Sequence, residues 1–68
     1  MRVIAVPKSG LGNSYSFTRV KEISIEVIEG ITYAVLHYTG GNFYPTYVPV
    51  DDYDLYDKNL EKIKPNGY

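Results

Sequence analysis

The chain has 68 residues, 44% of them hydrophobic and 22% charged, with no cysteine, eight tyrosines and a formal net charge of −1. That length holds one domain and excludes a two-domain enzyme, a doubly wound nucleotide fold and a TIM barrel. Without cysteine there is neither a disulfide nor a thiolate zinc site, and seven Lys/Arg against eight Asp/Glu make duplex DNA a poor default partner.

The first predicted element is a short strand over residues 2–6, ended by Pro7. Its apolar run is too short for a secretory signal and far short of the about 20 residues that a membrane helix needs. Together with the missing cysteine this predicts a cytoplasmic protein. Residues 8–16 carry two glycines, an asparagine and three serines, which is loop chemistry. Gly10-Leu11-Gly12 invites a phosphate-loop reading, but Tyr15 stands where the third glycine belongs and a strand follows instead of a helix.

A second strand is predicted over residues 17–28. Ile23, Ile25 and Val27 alternate with Ser24 and Glu26. Val20 is on the other parity, which predicts a bulge or bend near Lys21 and Glu22. Glu29-Gly30 makes a tight turn. The third strand, residues 31–39, is apolar on both parities and therefore central. Gly40-Gly41-Asn42 predicts a second hairpin turn, and residues 43–50 a fourth strand. Pro45 and Pro49 share parity, so their missing N–H groups fall on one side, and this strand is expected at an edge.

Tyr56, Leu60 and Ile63 follow i, i+4, i+7 spacing, with Asp54 as a cap and Pro65 as a stop. They predict a short helix over residues 55–62. The expected fold is mainly β of the α+β class: a four-stranded antiparallel meander, as an open sheet or a partly open SH3-like barrel, with one C-terminal helix. The domain would span residues 1–64, with residues 65–68 as a tail.

Catalytic spacing is absent. His37 is the single histidine, and most serines lie in the first loop. The acids Asp51, Asp52, Asp54, Asp57 and Glu61 fail the calcium-loop pattern at both its glycine and its terminal glutamate. No metal, cofactor or enzymatic activity is expected. The aromatic segment is the candidate site: Tyr38, Phe43, Tyr44, Tyr47, Tyr53 and Tyr56. A chain of this mass exposes on the order of 4,300 Å² folded against about 11,000 Å² extended, so large rings are needed to thicken the core. Tyr47 shares parity with the edge prolines and is the expected surface member. Aromatic surface beside Asp51, Asp52 and Asp54 favours a protein partner with basic groups.

The order Phe17-Thr18-Arg19-Val20-Lys21-Glu22-Ile23, then a hairpin, then Val48-Pro49-Val50-Asp51-Asp52-Tyr53-Asp54-Leu55 resembles small uncharacterised proteins encoded by phages and prophages of Gram-positive bacteria. The resemblance covers about two-thirds of the chain and implies a phage accessory setting without an active site. The resulting expectation is a protein-interaction module that acts on a bacterial host factor or on its own copy. Single-stranded nucleic-acid binding by stacking on the aromatics, and small-molecule binding at an oligomer interface, are the alternatives.

Overall fold

A computed structural model describes residues 1–40 and 43–65. The strands are β1 (Val3–Pro7), β2 (Tyr15–Phe17), β3 (Val20–Ile28), β4 (Ile31–Tyr38), β5 (Thr46–Pro49) and β6 (Tyr53–Tyr56). They form two three-stranded antiparallel sheets, ordered β2-β1-β6 and β3-β4-β5.

The second sheet follows from local chemistry. Ile28 pairs with Ile31 across Glu29 and Gly30, whose φ values are 51° and 79°. Two consecutive positive φ angles give a turn whose twist suits a hairpin. The ladder slips between Val20 and Glu22, so the expected bulge is present with Lys21 as its extra residue. β4 is central, as its two apolar parities predict. β5 is an edge, again as predicted. Val50 N–H donates to the Thr32 carbonyl (3.1 Å), so residues of the other parity, Pro45, Tyr47 and Pro49, turn their nitrogens away from β4.

Of the first sheet, only β1 was legible, as the predicted strand over residues 2–6, and it pairs with the start of the predicted second strand at Phe17. The expected strand over residues 17–28 is two strands in different sheets. Arg19 adopts φ 61° and bends the chain between β2 and β3. The corner is pinned on both sides. Met1 and Val20 exchange two backbone hydrogen bonds of 2.6 and 3.0 Å, and Thr39 N–H donates to Arg19 O (2.8 Å). Tyr15 and Ser16, read as loop, pair with Ala5 and Ile4.

The inner faces of both sheets share one core. Val3, Ala5 and Leu55 meet Val20, Ile23, Ala34, Leu36, Val48 and Val50. Val35 is fully buried too, but on the outer parity of β4, where it pairs with Ser24 and Tyr47.

The predicted helix is replaced by strand and turn, and among the described residues there is no helix. The Asp57 carboxylate accepts the N–H groups of Asn59 (2.8 Å) and Glu61 (3.1 Å), and Leu60 takes φ 64°. That carboxylate organises a turn, which is the usual competitor of a helix start. The chain then folds back: Lys62 bridges Tyr56, and Ile63 N–H donates to Leu55 O (2.8 Å). Leu60, a supposed helix-face residue, is 70% exposed. Among the described residues the strands number six instead of four, and the sheets do not close into a barrel. Of the turn at Gly40-Gly41-Asn42, residues 41 and 42 lie outside the described residues, as do tail residues 66–68.

Candidate functional site

The two sheets are tied at the Arg19 corner, where β2 passes into β3. β2 ends one sheet and β5 ends the other, with no ladder between them. A groove runs along this gap. Tyr15, Pro49, Asp52 and Tyr53 line one end, and Arg19, Tyr38, Phe43 and Tyr44 line the other, with Phe17 and Thr46 shared by both.

Composition explains why the gap stays open. β2 has three residues and β5 four. On the outward side of β5, prolines 45 and 49 offer no donor, and Pro49 O already accepts Asp52 N–H (3.2 Å). Among the described residues, Tyr47 alone within β5 keeps both an N–H and a carbonyl without a main-chain partner on that side.

Five of the six predicted residues meet along this groove. Tyr38 is half-buried against the core; its hydroxyl pairs with Thr46 Oγ1, and its ring meets Phe43 edge-on at 6.4 Å. Phe43 is 63% and Tyr44 92% exposed, an unusual degree for such large apolar rings. Tyr47 lies on the outer face of β5, as its parity predicts. Its ring is 5.8 Å from that of Tyr33, and its hydroxyl reaches Glu26 at 3.5 Å. Tyr53 packs on the core and meets Tyr15 edge-on at 6.3 Å. Tyr56 does not join them. It has the opposite parity to Tyr53, pairs with Ile4 and Lys62, and does not line the groove.

Two aromatic groove residues escaped the sequence reading, Tyr15 and Phe17. Phe17 opens the predicted second strand, whereas the glycines and serines around Tyr15 spoke for a loop. The charges are divided along the groove, with Arg19 beside Phe43 and Tyr44 and Asp52 beside Tyr53. Asp54, expected beside the aromatics, instead pairs with Lys62 (3.3 Å) and Lys8 (4.0 Å).

The sheet also builds a contact that spacing concealed. Ser24 Oγ and His37 Nε2 are 2.9 Å apart on the outer face of β3 and β4. Register explains it: Glu22 pairs with His37 and Ser24 with Val35, so Ser24 is the diagonal neighbour of His37. Gly10 and Gly12 belong to a turn in which Ser9 Oγ accepts Leu11 N–H (3.1 Å), and β2 follows. Among the described residues no three His, Asp or Glu side chains converge to hold a metal ion. Nor is any helix there long and apolar enough to cross a membrane.

No protein-family model, curated protein or solved structure matches the chain.

Proposed function

We propose that this protein is a non-enzymatic interaction module that takes an extended segment of a partner protein into the groove between β2 and β5. The observation that carries the reading is the exposure of Phe43 and Tyr44 at the mouth of a groove already lined by Tyr15, Phe17, Tyr38 and Tyr53. Large rigid rings with polar tips are effective anchors for extended chains. The single free backbone position at Tyr47 favours one point of main-chain pairing over a full added strand. Asp52 and Arg19 at opposite ends would orient a segment that carries a basic group at one end and an acidic group at the other. In the phage setting that the sequence resemblance implies, the partner is a bacterial host factor, met in the cytoplasm.

The Ser24–His37 pair supports no catalytic reading of its own. Among the described residues no third group hydrogen-bonds the His37 ring to orient it, as a nucleophile–base pair requires. Pull-down from bacterial lysate tests the proposal. The wild-type protein is expected to retain a partner that the Phe43→Ala/Tyr44→Ala variant loses. Equal retention by both overturns it.

Stacking of single-stranded nucleic acid is a second reading, favoured by Arg19 beside the exposed Phe43 and Tyr44 and by Lys21 close to Phe43. Fluorescence anisotropy with labelled oligonucleotides at low salt separates it from the first. Flat curves are expected, and saturable binding that Tyr44→Ala abolishes would replace the peptide reading.

A further inference from the structure

The other edge of the second sheet has no guard. β3 is the longest strand, with nine residues and no proline. Met1 covers its outer side only at Val20, through the two Met1–Val20 hydrogen bonds. Among the described residues, no main-chain partner lies on that side from Lys21 to the turn at Glu29 and Gly30.

The hydrogen-bond parity of this edge is fixed. Residues 32, 34 and 36 of β4 pair with Val50, Val48 and Thr46 and direct their main-chain groups to β5. Residues 33, 35 and 37 therefore direct theirs to β3, to Glu26, Ser24 and Glu22. This leaves Ile23, Ile25 and Val27 with N–H and C=O groups aimed outward. Their side chains follow the core parity, yet Val27 is 66% exposed, and Ile28 beside it is 43% exposed. An apolar edge with free donors and acceptors is a template for another strand.

We infer that this edge pairs with the β3 edge of a second copy, antiparallel about a two-fold axis at Ile25, giving a continuous six-stranded sheet across the dimer. Charge and geometry select this register. An axis at Ser24 would set Glu22 against Glu26 twice, and an axis at Glu26 would set Glu26 against itself; like charges directly opposite are destabilising. An axis at Ile23 forms the shorter ladder and leaves Val27 uncovered. With the axis at Ile25, Ile25 meets its own copy and Ile23 meets Val27 on one face. Ser24 meets Glu26 on the other, and Lys21 meets Glu29 at both ends. Ile25 is also the midpoint of the uncovered stretch, between the Met1 stop and the Glu29 turn. The surface is separate from the groove, so dimerisation and partner binding test independently.

The contact is small. It falls below the about 1,200 Å² of a standard interface, so dissociation near the micromolar range is expected. Sedimentation velocity over a concentration series tests it. The mass should rise from 7.7 kDa toward twice that value. Lys21→Glu alone and Glu29→Lys alone should each weaken the dimer about tenfold, since each sets like charges opposite twice. Mixing the two single variants should restore association, because both contacts between unlike copies then join Glu to Lys. Both positions are exposed, so the fold is expected to survive, and circular dichroism verifies that. Concentration-dependent protection of the Ile25 and Val27 amides from hydrogen exchange reports the same pairing. A strictly monomeric wild type, unchanged association in either single variant, or no recovery on mixing overturns the inference.

Discussion

Leu36→Ala is the sharpest test of the packing. Leu36 has no exposed surface and lies on β4, the central strand of its sheet, in the core cluster shared by both sheets. Truncation removes three carbons and leaves a cavity between the sheets, at a cost of about 2–5 kcal/mol. A domain of this length has a total stability on the order of 3–10 kcal/mol. The variant should therefore lose a large share of its stability and be partly unfolded at 37 °C. Val35→Ala is the control. Val35 is equally buried, but on the outer parity, beside the ring of Tyr47, which is 44% exposed. That partly exposed cover can settle onto a smaller side chain, so the expected cost is about 1–2 kcal/mol. Urea unfolding followed by far-ultraviolet circular dichroism and tyrosine fluorescence measures both. A Leu36→Ala loss under about 1 kcal/mol, or a larger loss for Val35→Ala, would refute the assignment of β4's two faces.

Two further outcomes follow from the turns. Asp57→Ala removes the acceptor for two main-chain N–H groups, so about 1–2 kcal/mol should be lost, with faster amide exchange at Ile63, which the returning chain holds against Leu55. Gly30→Ala should cost about 1 kcal/mol in urea unfolding, because Gly30 has φ 79° while an added Cβ would meet nothing within 4 Å, so the cost is backbone strain alone.

What the sequence made legible was local. Alternation at Ile23, Ile25 and Val27, the Glu29-Gly30 turn, the slip at Lys21 and the two edge prolines each act over a few residues, and each predicts the sheet β3-β4-β5. The other sheet depends on long-range partners. β2 exists because Ala5 and Val3 pair with it, and β6 because β1 lies beside it. The helix expectation failed for a related reason. Tyr56, Leu60 and Ile63 satisfy a helical spacing, but Asp57 and Asn59 are turn residues, and the return of Ile63 to Leu55 decides between the two. For the candidate site, proximity in sequence brought Tyr38, Phe43, Tyr44, Tyr47 and Tyr53 into view. It could not separate Tyr56 or add Tyr15, because only the pairing of β1 with both β2 and β6 places Tyr15 beside Tyr53.

The central claim is that the gap between β2 and β5 receives a partner. A photo-reactive phenylalanine analogue placed at Tyr44 in one protein and at Tyr56 in another tests it directly, because the two positions are on different surfaces. Irradiation in bacterial lysate should give a discrete cross-linked protein from position 44 and none from position 56. No adduct at position 44, or the same adduct from both positions, would contradict the account.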